Sequence, residues 1–314
     1  MRLQILLGLI LSNLIWSAHP LMGKIVLEDF TPDQAAWLRY SSALVAFWIY
    51  RFFHKPTVPS EVRLKFSDIA WITLMGGMAF CLSPLLQLNG LQHSNATENA
   101  LIIAIEPLIT VGLAAIFLRQ RVSLAHVLCF VLSMLGFSLL AGLSWTGLQL
   151  ERSHFIGNVL MLAALFGEAL YSSIAGKLIQ SYSSQRIFGG AILAGVILLT
   201  LSVWVLAGEN PLSLVSTTVT HLHWRSAAAL FWLGPLGSTA TYLFWIVALR
   251  EATVASMSIT LFIQPIFGAI WGYLFLSERL TGLQAIGGFL ILIAVIAQGI
   301  PSRQLLQKSP PPPS

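Results

Sequence analysis

The sequence predicts an all-α, polytopic membrane protein with ten transmembrane helices arranged as two inverted five-helix repeats. Three observations carry that prediction. Of the 314 residues, 56% are hydrophobic and 9% charged, and the mean hydropathy is +0.81; an ordinary soluble domain carries about 25% charge. The 17 basic and 12 acidic residues fall in short clusters between apolar runs of about 18 to 25 residues, the length that crosses about 30 Å of hydrocarbon. An ungapped shift of 158 residues also superposes one stretch of the chain on another.

The apolar runs place ten spans near residues 3–23, 33–53, 67–88, 95–118, 124–143, 156–179, 186–207, 224–248, 253–276 and 282–300. Met1-Arg2 followed by an apolar run imitates a secretory signal, but no small-residue cleavage site closes it and nine spans follow, so it is expected to be kept as the first span. The units are therefore a first repeat over 1–143, a connecting loop over 144–155, a second repeat over 156–301, and a Pro-rich tail over 302–314 expected to be disordered.

Cationic loops resist translocation, so Lys and Arg report orientation. With the N-terminus in the cytoplasm, only Lys24, Arg39, Arg152, Arg225 and Arg279 fall on the outer side and the other twelve of 17 on the inner side. Both termini are thus expected in the cytoplasm, in a cell membrane, with the bacterial inner membrane as the expected site. The net charge of +5 forms no continuous patch or basic helix, so no nucleic-acid partner is expected. Cys81 and Cys129 sit singly in apolar runs without metal or redox spacing, and neither metal nor cofactor is expected.

The shift of 158 places Gly76 on Gly234, Leu85 on Leu243, Ile105 on Ile263, Pro107 on Pro265 and Arg121 on Arg279. The run 117–123, Phe-Leu-Arg-Gln-Arg-Val-Ser, mirrors 275–281, Phe-Leu-Ser-Glu-Arg-Leu-Thr. A shift of 153 sets Gly23-Lys24 on Gly176-Lys177. Because five spans are an odd number, the second half enters from the opposite side, giving the inverted repeat from which alternating-access transporters are built.

The residues also resemble a known family, the ten-helix drug/metabolite transporters with two EamA domains. Trp16 and Lys24 are similar to its Trp-to-Lys spacing across the first span, and Pro32 and Arg39 to its Pro-to-Arg spacing entering the second. The stretch from Pro265 to Glu278-Arg279 resembles the signature that closes each repeat. Gln120 departs from the Glu usual there, and Ser17, His19 and Pro20 depart from the usual residues after the Trp. The resemblance covers the chain to about residue 300 and implies transport of small metabolites.

Helical spacing then gives candidate cavity faces. Asn13, Ser17, Pro20 and Lys24 share a stripe on span one; Asn95, Asn99, Glu106 and Thr110 on span four; Thr253, Met257, Thr260 and Gln264 on span nine. Glu106 and Gln264 are repeat equivalents ahead of the paired prolines. Polar stripes also hold membrane helices together, at about 1 kcal/mol or less per contact. Glu106 and Glu168 stand apart, because a mid-span acidic residue costs about 2.5 to 3.5 kcal/mol to insert. Each is a candidate for proton exchange or amine recognition. For Glu106 the structural alternative is bonding to backbone freed by Pro107.

Other residues divide similarly. Asn95-Ala-Thr-Glu98 matches a capping box. Lys24 either snorkels or meets a substrate carboxylate. Arg39 needs a partner, with Glu28, Asp29 and Asp33 as candidates, and His19 is expected in the core. Tyr242 and Trp245 offer an aromatic wall beneath Gly234-Pro235, or plain helix packing. Gly268 and Gly272, four apart, mark close packing suited to helices that rock.

The expected function is secondary transport of a small organic metabolite, such as an amino acid, amine or drug-like compound, by alternating access. Export is the favoured direction and proton coupling a candidate drive; a passive channel or facilitator for small neutral solutes is the alternative. The expected partners are that substrate, protons and the bilayer, and a second copy of the chain is compatible with the pattern. With only Lys24 and Arg39 as candidate cavity cations, a strongly anionic substrate is disfavoured. No His-Glu-x-x-His, Gly-x-Gly-Asp or Gly-x-Ser-Gly motif supports an intramembrane enzyme.

Overall fold

The computed structural model describes residues 3–54, 63–118, 124–140, 152–206, 208, 210–252, 254, 257 and 259–299. Among these every regular element is helical. The tail 302–314, most of the 144–155 connector and Gln120 lie outside the described residues.

Proline placement explains most of the breaks. Helix α1 (Leu3–Ser17) runs into α2 (His19–Val26) through Ala18, because Pro20 has no N–H for the Trp16 carbonyl. Helix α3 (Pro32–Phe53) starts at a capping box in which Thr31 and Gln34 exchange hydrogen bonds of 3.1 and 3.4 Å, with Pro32 at the first position. Helices α4 (Phe66–Gly77) and α5 (Ser83–His93) join through a π turn, Met78–Leu82, just ahead of Pro84. The predicted fourth span is two pieces, α6 (Ala96–Ile103) and α7 (Glu106–Leu118), parted before Pro107. Helices α8 (Leu124–Leu140), α9 (Arg152–Leu178) and α10 (Ser184–Leu201) follow.

Helix α11 (Pro211–His221) occupies a stretch the apolar pattern leaves as a loop, with Pro211 preset for its first turn. Helices α12 (Trp224–Phe231) and α13 (Thr241–Ala248) join through a π stretch, Trp232–Ala240, that contains Pro235. A 3-10 turn, Ile259–Phe262, leads into α14 (Ile263–Leu276), and α15 (Gly282–Gly299) closes the bundle. Five rods are long and apolar enough to cross a membrane: Leu3–Val26, Phe66–His93, Ser153–Leu178, Ser184–Val205 and Trp224–Ala248. Shorter apolar helices include Ile263–Leu276 and Gly282–Ala294.

Packing crosses between the halves of the chain. Helix α5 lies on α9, α4 on α10, α3 on the Trp232–Ala240 stretch, α2 on α12, α1 and α6 on α14, α7 on α9, and α8 on α15. Two of these crossings depend on glycine. A Cβ on Gly76 would lie 2.8 Å from the carbonyl carbon of Ala191, and one on Gly234 would lie 2.7 Å from the Arg39 carbonyl oxygen. Large apolar side chains such as Leu3, Trp48 and Phe52 remain exposed on the outside of the bundle, the surface that lipid covers.

Candidate functional site: a polar cavity between the halves

Where the interrupted helices meet, a cavity of about 40 Å³ remains, room for a few waters. Its wall combines Trp16 and His19 at the α1–α2 break, Gln87 of α5, Ile103 and Glu106 at the α6–α7 break, and Leu165, Glu168, Tyr171 and Ser172 of α9. Tyr242 and Trp245 of α13 with Leu261 and Gln264 complete it. The breaks before Pro107 and Pro265 are what turn Glu106 and Gln264, equivalent in the 158-residue repeat, toward one space.

Glu168, within α9, and Glu106, at the first position of α7, are both only partly buried although they sit mid-span, so the cavity is their contact with water. The Tyr242 hydroxyl donates to Glu168 Oε2 at 2.5 Å, and Tyr171 Oη donates to the Tyr242 carbonyl at 3.2 Å. The rings of Trp16, Phe80 and Tyr171 hold Tyr242 at centroid distances of 5.1 to 5.2 Å, a set of edge-on contacts that fixes the hydroxyl. Glu106 accepts no hydrogen bond among the described residues, so it is not bound to backbone freed by Pro107. Its charge faces that of Glu168.

Arg39 corrects one expectation. Its guanidinium is 2% exposed and meets none of the three acidic candidates; instead Nε donates to Ser238 Oγ at 3.0 Å and Nη2 to His19 Nδ1 at 3.3 Å, with the Tyr40 ring 4.8 Å below. Glu28 pairs with Arg225 at 3.5 Å, and Asp29 accepts from Ser226 Oγ at 2.5 Å. The acidic candidates lie at the helix ends, whereas Arg39 points along α3 into the bundle, where its charge acts on Glu168. Because guanidinium only donates, His19 Nδ1 accepts, and a neutral His19 carries its proton on Nε2. His19 therefore belongs to the wall of the cavity as well as to the core.

Asn13 stands one layer behind the wall. It accepts from Gln264 Nε2 at 2.8 Å and donates to Thr260 Oγ1 at 2.9 Å, tying α1 to α14. Trp16 Nε1 donates to the Gly237 carbonyl at 2.8 Å, and Trp271 Nε1 to Ser17 Oγ at 3.0 Å. Trp245 Nε1 is buried without a partner among the described residues.

Lys24 and Asn99 lie apart from this wall, in a second polar cluster at the end of the bundle. Asn99 donates to Ser94 Oγ and to the Asn95 carbonyl. Glu98, fully buried, does not close the expected capping box. Its carboxylate instead accepts from Asn95 (3.2 Å), His154 (2.7 Å), Asn158 (2.8 Å) and Gln284. The α6 N-terminus is capped by Glu278, which accepts from Ala96 N at 2.9 Å, Thr97 N at 2.7 Å and Thr97 Oγ1 at 2.7 Å. A carboxylate arriving from the turn between α14 and α15 satisfies two of the orphan N–H groups there, which frees Glu98 to face α9 and α15. Lys24 lies within reach of the charges of both carboxylates.

Five site residues expected from sequence, Glu168, Glu106, Gln264, Tyr242 and Trp245, thus meet in one cavity, with Asn13 behind them. Sequence reasoning missed Gln87 and Ser172 as wall residues, although Tyr171 and Ser172 share the Glu168 face. No single-helix pattern marks Gln87.

The EamA-like transporter family model matches residues 3–142 and again 155–298. The chain belongs to that family. Among similar proteins, an uncharacterized transporter of Archaeoglobus fulgidus is 25% identical over 291 residues, covering 91% of this chain and 94% of its own. A chloroplastic WAT1-related protein of Arabidopsis thaliana is 26% identical over 91% of this chain and 67% of its own. A protein of Streptantibioticus cattleyicolor named as a terminal-alkyne amino-acid exporter is 25% identical over 74% of each. A crystal structure at 17% identity superposes with a TM-score of 0.67 over 98% of this chain and all of its own, a likeness of fold. An EamA-like transporter is a multi-pass membrane protein that moves a small molecule.

Proposed function

We propose that this EamA-like transporter is a secondary carrier that exports a small neutral, zwitterionic or cationic metabolite by alternating access, with Glu168 as the proton- or amine-binding carboxyl and Glu106 assisting. The observation that carries this reading is the placement of two mid-span carboxyls in one small cavity walled by both halves of the chain. Inserting two such groups costs about 5 to 7 kcal/mol at the centre of a bilayer, a cost that no hydrogen bond to Glu106 offsets among the described residues. At about 40 Å³ the cavity is far below the 300 to 1,000 Å³ of ligand pockets, so passage requires the halves to part.

The ten-span inverted repeat, in units of 1–143 and 156–301, is supported by the separate family matches and by the packing. Exchanging each helix for its repeat equivalent turns the α5–α9 contact into α13–α1, α4–α10 into the α3 contact with Trp232–Ala240, and α7–α9 into α14–α1. A pseudo-two-fold of this kind lets one set of interfaces close while its mirror set opens. The cytoplasmic placement of both termini rests on the charge distribution.

The test begins with comparing metabolites exported by cells with and without the protein, followed by the Glu168→Gln variant on the substrate found. Gln keeps size and hydrogen bonding but cannot titrate. For proton coupling, gradient-driven transport is lost while substrate exchange survives in part; for amine binding, affinity falls by roughly 1.5 to 3 kcal/mol. Normal transport by a folded Gln variant from pH 5 to 8 refutes both roles.

A further inference from the structure

We infer that Glu98 and Glu278 form a latch that holds the outer end of the carrier shut, so that the resting protein admits its substrate from the cytoplasm. The inference rests on the topology proposed above, in which residues 93–99, 153–158 and 278–284 face outward.

Every strand of the latch joins helices that would have to separate for the outer end to open. Glu98 on α6 takes donors from α9 (His154 and Asn158) and from α15 (Gln284), which together with Asn95 fill the roughly four lone-pair sites of a carboxylate. Glu278, in the turn between α14 and α15, makes its three bonds to α6. That turn is held in a conformation that side chains resist: Ser277 has φ 55°. Gly272 makes room for the contact, since a Cβ there would stand 2.9 Å from Glu278 Oε2. Hydrogen bonds to an ionised carboxylate are about twice as strong as neutral ones, and the full burial of Glu98 keeps water from replacing those it accepts.

The opposite end differs in sequence at the same positions. The shift of 158 residues sets Gln120 against Glu278 and Ser256 against Glu98, so both carboxylates have neutral counterparts. One pair of part-buried end contacts is matched between the two ends. Tyr182 Oη donates to Asp68 at 2.6 Å at the inner end, and its repeat equivalents, Asp29 and Ser226, are bonded at 2.5 Å at the outer end. Matched contacts cancel in the balance between outward-closed and inward-closed states. The Glu98 and Glu278 contacts do not cancel.

The test reads the two faces of the membrane separately and needs no substrate. Ser172→Cys, on the cavity wall, serves as reporter in protein whose Cys81 and Cys129 are replaced by Ser, labelled by a membrane-impermeant maleimide in right-side-out and in inside-out vesicles. The reporter should label faster from the cytoplasmic face. Glu278→Gln combined with Glu98→Gln should raise the outside-to-inside rate ratio about tenfold or more, equivalent to ~1.4 kcal/mol. Gln120→Glu supplies a carboxylate at the repeat equivalent of Glu278, so it should raise the same ratio even if the first pair fails to fold. A ratio unmoved by Gln120→Glu, or faster outside labelling of the parent, overturns the latch. Failure of the Glu168 transport test leaves this labelling result intact, which keeps the two proposals separable.

Discussion

Gly76→Ala tests the helix crossing on which any rocking of the halves depends. The new Cβ would lie 2.8 and 2.9 Å from the carbonyl carbon and Cα of Ala191, against an optimum of about 3.5 to 4.0 Å between carbons. Both partners are backbone, so no rotamer change relieves the overlap and α4 must move from α10 by up to about 1 Å. The opposing face is equally tight, because a Cβ on Gly195 would meet the Gly76 carbonyl oxygen at 2.9 Å. Overpacking of this kind costs about 1 to 3 kcal/mol, and the upper half of that range is expected. Gly112→Ala is the control: among the described residues nothing lies within 4 Å of a Cβ there, and replacing helical Gly by Ala gains up to about 1 kcal/mol. Gly234→Ala, the repeat equivalent, should behave as Gly76→Ala does, with Arg39 and Ser42 as the backbone and side chain struck. Equilibrium unfolding of the purified protein in mixed micelles, with increasing anionic detergent, measures all three. If Gly76→Ala lies within about 0.5 kcal/mol of the parent, or Gly112→Ala is as harmful, the close-crossing argument is wrong.

Topology and exposure give two further outcomes. Reporter domains fused after Ser314 and inserted within 151–154 should report opposite sides of the membrane, and activity of both on one side would remove the ten-span arrangement. Gln87→Cys, on the cavity wall, should react with a small water-soluble thiol reagent at least about tenfold faster than Asn99→Cys, which is 1% exposed within the end cluster; equal rates would mean that the cavity is not a water path.

Much of the architecture is legible along the chain because a bilayer imposes a one-dimensional rule. Apolar runs must have a minimum length, so the long rods Leu3–Val26 and Phe66–His93 follow from composition alone. Proline acts locally too, and the breaks before Pro107 and Pro265 fall where the missing N–H requires. The helix at Pro211–His221 escaped because it is too short and polar to register as a span.

The site residues divide along the same line. A carboxyl placed mid-run is costly wherever its helix packs, so Glu106 and Glu168 stand out in the sequence itself. Periodicity also fixes which residues share a face, as Tyr171 and Ser172 do with Glu168. It does not fix what that face meets: Asn99 shares a stripe with Glu106, yet it lies in the end cluster because the break before Pro107 separates α6 from α7.

The sequence by itself therefore determined the membrane class, the sequence repeat, the interruptions at Pro107 and Gly234-Pro235 and the two costly carboxyls, since each depends on neighbours along the chain or on hydrocarbon thickness. Only the tertiary structure decided partners. Glu278 caps a helix some 180 positions away, Arg39 turns to Ser238 and His19, and Glu98 leaves its own cap for His154, Asn158 and Gln284. A buried polar group must be satisfied by whatever packing brings within about 3 Å, and that proximity is a property of the folded bundle.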